Sequence, residues 1–324
     1  MPHIALLLPL NGGPFVVHAQ AVRDGFLAAA KAQDNVPLPL RVYAATDDST
    51  VALSGYRQAV AGGARIVVGP LTRASVSALA ATRLIPVPTL VLNAPDGIGA
   101  LPDRLYVLSL QIEAEARLVA HLAYDEGHRR AYTVSGTDAL SRRMNEAFVE
   151  EFTRLGGTQA DGQVYAGGGM SGLEHYRDGI AKSKADAVFL ALDAARGRTV
   201  RPYVGSAPAY ATSQIYPGRR GDLTYFELAG VKFVGMPWLL QPDHAAVMVY
   251  PRPDYGNDLD LQRLYALGID AFRVAQELLA GRTAIALDGV TGGLIMGPDR
   301  VFRRALPVAE IGEGGTSVVG EVRP

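Results

Sequence analysis

Short apolar runs alternate with longer amphipathic stretches along most of the chain. Ile4 to Leu10 (IALLLPL), Leu40 to Thr46 (LRVYAAT), Arg65 to Pro70 (RIVVGP) and Pro88 to Asn93 (PTLVLN) are rich in Val, Ile and Leu and scarcely alternate with polar residues. Strands buried on both faces beneath crossover helices have this pattern. Between them the apolar residues fall at helical spacing. Phe15, Ala19, Val22, Phe26 and Ala30 share one face, Tyr56 and Val60 mark a second helix, and Val76, Leu79 and Ala80 a third. Gly, Pro and Asn punctuate the strand ends, so the first part of the chain predicts β-α-β-α-β-α-β.

After LYVLSL (Leu105 to Leu110) the pattern restarts. A helix over about Ile112 to Tyr124 leads to AYTVSG (Ala131 to Gly136), and a second, Leu140 to Leu155, ends at Gly156-Gly157. Strands are then expected at AVFLAL (Ala187 to Leu192), AYATS (Ala209 to Ser213) and VKFVGMPW (Val231 to Trp238). The clearest helix of the chain carries Leu261, Leu264, Tyr265, Gly268, Ala271, Phe272, Ala275, Leu278 and Leu279 on one stripe. Asp258 can cap its start and Gly281 its end. The stretch from Leu287 to Ile311 reads as β-hairpins.

The fold class expected is α/β with two lobes, each a doubly wound, mainly parallel sheet with helices on both faces. One lobe takes residues 1–109 and 241–300, the other 110–240 and 301–324. Ligands of such sheets sit beyond the carboxyl ends of the strands, which here would line a cleft between the lobes.

Composition narrows the function. The 324 residues are 48% hydrophobic and 19% charged, an ordinary globular balance. Lys and Arg number 31 against 32 Asp and Glu, a net charge of -1, so nothing draws the chain toward nucleic acid. The absence of cysteine excludes disulfides, thiolate nucleophiles and Cys-ligated zinc, yet suits either redox compartment. IALLLPL resembles the apolar part of a signal peptide, but no Lys or Arg precedes it and Asn11 to Pro14 interrupt it. No stretch approaches the roughly 18 apolar residues of a membrane span.

Motifs for catalysis or cofactors are weak. Gly167, Gly169 and Gly172 spell G-x-G-x-x-G and Asp193 follows about twenty residues on, in outline a dinucleotide fingerprint. The strand before it holds Asp161 and Gly162 and is barely apolar, whereas the fingerprint needs a buried central strand, so a connecting loop is the better reading and no cofactor is expected. His3, His18, His121, His128, His175 and His244 form no metal-binding pair on a helix, and no metal site is expected. Glu150-Glu151 and Asp47-Asp48 lie in polar contexts and are expected to be solvated. Arg196, Arg198, Arg201, Arg219 and Arg220 form either a solvated face or a patch for an acidic partner, and Trp238 either lines the cleft or packs. No catalytic residues are expected. The candidate ligand-binding residues are therefore those near strand ends: Asn11, Thr72, Ser75, Asn93, Ser109, Ser135, Asp193, Thr212 and Tyr216. Thr72 and Ser75 open a helix whose free N–H groups could hold a carboxylate, or they merely cap it.

IALLLPLNG, IVVGPL, LVLN, DAARGRTVRPYVG, PAYATSQIYPG, FVGMPWLL, DLQRLYALGIDAF and LDGVTGGL, in order along nearly the whole chain, resemble the LppC/LpoA family. These are outer-membrane lipoproteins that activate class A penicillin-binding proteins. The resemblance implies a type I periplasmic-binding-protein fold in the C-terminal domain, a periplasmic location and a non-catalytic role, docking on a peptidoglycan synthase. It brings no catalytic residues. The family's lipidated cysteine and the helical-repeat domain of its enterobacterial members are not in this sequence, which reads as an isolated C-terminal domain whose membrane link would be a lipid anchor outside it. A long insertion of some members, between the strands at Gln163 and Ala187, is also missing. The alternative expectation is a periplasmic receptor for an amino acid or similar small ligand held in the cleft.

Overall fold

The computed structural model describes residues 1–33, 35–82, 84–97, 99–167, 173–218 and 223–324. The chain opens with β1 (His3–Leu8), α1 (Val16–Lys31), β2 (Leu40–Ala44), α2 (Ser49–Ala61), β3 (Ala64–Val68), α3 (Arg73–Ala80), β4 (Thr89–Val91) and β5 (Leu105–Val107). It continues through α4 (Ile112–Asp125), β6 (Arg130–Gly136), α5 (Ala139–Arg154), β7 (Thr158–Tyr165), α6 (Glu174–Ser183) and β8 (Ala187–Ala191). Next come α7 (Ala194–Val200), β9 (Ala209–Ala211), α8 (Leu223–Glu227), β10 (Val231–Val234), α9 (Pro237–Leu240), α10 (Ala245–Met248) and α11 (Leu259–Leu279). Two hairpin pairs end the chain: β11 (Ala286–Asp288) with β12 (Gly293–Met296), and β13 (Phe302–Gly312) with β14 (Gly315–Val322). Two compact units result: Met1–Leu110 with Pro237–Arg304, and Gln111–Met236 with Ala305–Pro324.

In the first unit a parallel sheet runs in the order β2-β1-β3-β4-β5. All six residues of β1 are buried, as its unbroken apolar sequence requires of a strand covered on both faces. Ala5 and Leu7 join Tyr56, Val67, Val76 and Leu79 in one core cluster under α2 and α3. Helices α1 and α11 pack together so closely that a Cβ on Gly25 would lie 1.9 Å from the Tyr265 carbonyl, and one on Gly268 2.0 Å from that of Val22. No residue but glycine fits either place. Phe26 and Phe272 meet edge-to-face beside them, ring centres 5.2 Å apart. The Asp258 carboxylate accepts from the N–H groups of Asp260 and Leu261 to cap α11, and Gly281, at φ 72°, follows its end. Midway, Asp270 is fully buried and accepts from Val290 N (3.1 Å), Thr291 N (2.8 Å) and Thr291 Oγ1 (2.6 Å), tying the β11–β12 turn to α11. Burial pushes its carboxyl upward against those bonds.

Two sequence expectations differ here. Phe15 is 42% exposed and precedes α1, because Gly12 and Gly13 adopt positive φ and the turn they make with Pro14 delays the helix. The strand expected to run to Trp238 stops at Val234, and Trp238 is a fully buried residue of α9. It packs on Tyr265, lies under the Arg252 guanidinium and donates from Nε1 to Gln262 Oε1 at 2.9 Å.

In the second unit the sheet runs β13-β10-β9-β8-β6-β7, with β14 alongside β13. Strands β6 to β10 are parallel and the β13–β14 hairpin is antiparallel to them. Helices α4 and α5 cover one face, where Phe148 stacks on Phe189 at 4.1 Å and on Phe152 at 5.4 Å. Glu151 was expected in solvent but is only 7% exposed. It joins the helices by accepting from Arg154 Nε at 2.9 Å and lying 2.7 Å from His121 Nε2. Among the described residues no helix is long and apolar enough to cross a membrane.

Candidate functional site

Each parallel sheet has one place where the chain leaves a strand toward one side and later returns on the other. In the first unit this switch lies between β1 and β3, in the second between β6 and β8. Loops diverge there and leave a crevice at the carboxyl ends of the strands.

In the first unit Asn11, Thr72, Ser75, Asn93 and Ser109 follow β1, β3, β4 and β5 and so lie along one sheet edge. Asn11 is exposed, but its amide donates to the Ala44 carbonyl at 3.0 Å. Asn93 Nδ2 donates to the Leu71 carbonyl at 3.2 Å, and its Oδ1 accepts from Ala94 N. Thr72 occupies the N-cap of α3 without capping it; its hydroxyl donates instead to Ser75 Oγ at 2.9 Å, and both side chains are buried. Among the described residues no side chain caps the first N–H groups of α3. Ser109 is half-buried two residues beyond β5.

The edge of the second unit is ionic. Asp138 follows β6 and caps α5, accepting from Ser141 N and Ser141 Oγ, both at 2.9 Å. Asp193 follows β8 and caps α7, accepting from Arg196 N at 2.8 Å. Arg196 closes the gap, with Nε 2.9 Å from Asp193 Oδ2 and Nη1 donating to Asp138 Oδ2. Partial burial works against the charge on Asp138, but the bonds from Arg196 and Ser141 outweigh it and hold the carboxyl well below its usual range. The hydrogen bond to Asp193, then that to Asp138, raise Arg196. Thr212, past β9, is fully buried; its hydroxyl donates to Met144 Sδ at 3.1 Å and accepts weakly from Gln214 N. Tyr216 stacks on Phe233 and donates to the Gly218 carbonyl at 3.2 Å. Ser135, inside β6, faces elsewhere: with Thr133, Asn145, Gln159 and Val164 it lines a polar cavity of about 340 Å³ bounded by β6, β7 and α5.

Sequence reasoning missed Asp138 and Glu115. Glu115 is 4% exposed on α4 and accepts from Ser213 N at 3.0 Å, fixing the turn after β9. Its signal was legible, since it lies on the stripe of Ile112, Ala116 and Val119. The arginines expected as a free face or patch are engaged within the unit. Arg198 pairs with Glu227, and Arg201, half-buried, donates to the Gly205 carbonyl at 3.1 Å. Arg219 and Arg220 lie outside the described residues, as do Gly169 and Gly172 of the glycine motif. Gly167, at φ 81°, follows β7, which is an edge strand and not the central strand that a dinucleotide site uses. Among the described residues no group of three or more His, Asp or Glu could hold a metal ion.

Comparison with known proteins follows this architecture. A structure from Chromobacterium violaceum, described as "a putative branched-chain amino acid ABC transporter", is 39% identical, with a TM-score of 0.80 over 96% of this chain and 100% of that one. The C-domain of Haemophilus influenzae LpoA, described as a regulator of PBP1A, superimposes with a TM-score of 0.82 at 22% identity, covering 98% of this chain and 99% of that domain. The fold is that of the type I periplasmic-binding proteins. By sequence, the penicillin-binding protein activator LpoA of Yersinia pseudotuberculosis is 27% identical over 96% of this chain and 60% of its own length. That of Vibrio cholerae is 27% identical over 95% of the chain and 56% of its own. This chain thus spans little more than half the length of these relatives. The family model described as "LppC putative lipoprotein" matches residues 1–168 and 167–314, so the chain belongs to the LppC family.

Proposed function

We propose that this chain is a non-catalytic docking module that activates a class A penicillin-binding protein in peptidoglycan synthesis. It acts in the periplasm, held at the outer membrane by a lipid anchor on the longer protein to which such a module belongs. The naming of its relatives as activators supports the partner. The observation that carries the non-catalytic reading is Arg196. It sits at the switch point where a receptor or enzyme would present free charges, and it is consumed by Asp138 and Asp193. Acid–base or nucleophilic chemistry needs an activated group aimed at a substrate, and among the described residues neither edge offers one. The test is binding to the class A synthase of the same organism by biolayer interferometry, with glycan and cross-link synthesis followed in parallel. Saturable binding with faster synthesis is expected; no binding with the full-length, lipidated protein overturns the reading.

One observation favours a solute receptor instead. The first unit keeps buried hydroxyls at Thr72 and Ser75 beside an uncapped helix start, a setting that suits a carboxylate. In such a receptor Asn11, Asn93 and Ser109 would complete the ligand's surroundings within the first unit, whereas Ser135, Asp193, Thr212 and Tyr216 belong to the second.

A further inference from the structure

Ser135 stands apart among the buried polar side chains. Thr72, Ser75, Ser141 and Thr291 each bond a neighbouring side chain. Ser135 is 6% exposed, yet its hydroxyl has no hydrogen-bond partner among the described residues. It lines the cavity of about 340 Å³ bounded by β6, β7 and α5. That volume lies at the small end of the range, about 300–1,000 Å³, in which small molecules are held.

The rest of the lining has one chemical character. Asn145, from α5, and Gln163, from β7, contribute amides whose side chains bond no described residue. Gln159 Nε2 donates to Thr133 Oγ1 at 2.9 Å. Beside that pair lies Gly162, where a Cβ would stand 2.5 Å from the Thr133 hydroxyl and 2.9 Å from the Gln159 amide, so only glycine leaves both groups in place and the floor open. Asp161 accepts from Gly162 N at 2.8 Å and is the one charged residue of the lining. Hydroxyls and carboxamides both donate and accept. An anion would be met by basic groups, and no Lys, Arg or His lines the cavity; an apolar molecule would find only Val164. The complement of such a surface is a ligand whose own groups also donate and accept, which describes the hydroxyls of a neutral sugar. A carboxylate placed as Asp161 is can accept from two adjacent hydroxyls.

We propose that this cavity binds one neutral sugar unit, with Ser135, Asn145 and Gln163 exchanging hydrogen bonds with its hydroxyls and Asp161 accepting from an adjacent pair. The site lies on the face of the second sheet that α5 covers, and it stands independently of the synthase reading. The test is a titration of the whole chain, followed by amide NMR, with glucose, N-acetylglucosamine and the linear trimer of N-acetylglucosamine. Saturable shifts centred on β6, β7 and α5 are expected, with a dissociation constant on the order of 1 mM for so small a ligand. A trimer bound more tightly than its monomer would identify a unit of a glycan chain, and equal binding a free sugar, either one supporting the site. Ser135→Ala and, on the exposed strand, Gln163→Ala should each weaken binding about five-fold without change in the thermal melt. Glucuronate should bind more weakly than glucose, because Asp161 repels its carboxylate, and Asp161→Asn should remove that difference. No saturable shift, shifts centred elsewhere, binding indifferent to both alanine variants, or glucuronate held as tightly as glucose would overturn the proposal.

Discussion

The two units present the same topological feature and furnish it differently. At the β1/β3 switch the candidate side chains are neutral: Thr72 and Ser75 bond each other, and Asn11 and Asn93 bond backbone carbonyls, while the one ion pair there among the described residues, Arg73–Asp96 at 3.2 Å, is exposed on Asp96 and caps no helix. At the β6/β8 switch they are charged and closed into a network, Asp138–Arg196–Asp193, whose carboxylates also cap the two helices that begin there. An anion approaching α5 or α7 would have to displace the chain's own carboxylates; one approaching α3 would not. Topology therefore specifies where a crevice lies but not what it can hold, which is why fold alone does not separate a docking module from a solute receptor.

Breaking the ionic edge should have the larger effect. Arg196→Met strands two carboxylates that are each about two-fifths exposed, so after allowance for solvent screening a loss of about 1–2 kcal/mol is expected at pH 7, read by urea denaturation. The sign of its pH dependence follows from Asp138, whose folded-state pKa is depressed. That stabilisation is complete above the ordinary value of 3.8 and is lost as pH falls toward the folded-state value, so the gap between variant and wild type should close in acid. A gap that widens in acid would mean that Arg196 acts through some other contact.

The neutral edge should respond less. Thr72→Val alone leaves the buried Ser75 hydroxyl without its donor and should cost about 1 kcal/mol, whereas Thr72→Val with Ser75→Ala should come within about 0.5 kcal/mol of wild type. A double variant as costly as the sum of the single ones would show that the two hydroxyls serve separate partners.

Much of this architecture was legible in the sequence because it rests on local rules. The unbroken run of β1 announced a strand buried on both faces, and Asp258 and Gly281 bracketed α11. Phe15 was misplaced because helical spacing carries no information about where a Gly-Gly-Pro turn releases the chain into a helix. The edge chemistry was hidden for another reason. Arg196 and Asp138 lie 58 positions apart and meet only because β8 returns beside β6. Glu151 looks like a surface residue until its helix face is known, whereas Glu115 sits on a stripe that the spacing does show. Pairings made by topology leave no spacing to read.

The central claim is that the charged groups at the carboxyl edge of the second unit are committed to one another within the fold, as the proposed docking role requires of a chain that holds no solute there. Thermal unfolding in the presence of branched-chain and other amino acids and short peptides tests it most directly. The account predicts an unchanged transition throughout. A ligand that stabilises the chain by about 2.7 kcal/mol, the gain expected at one hundred times its dissociation constant, would contradict it, the more so if Thr72→Val abolished the gain.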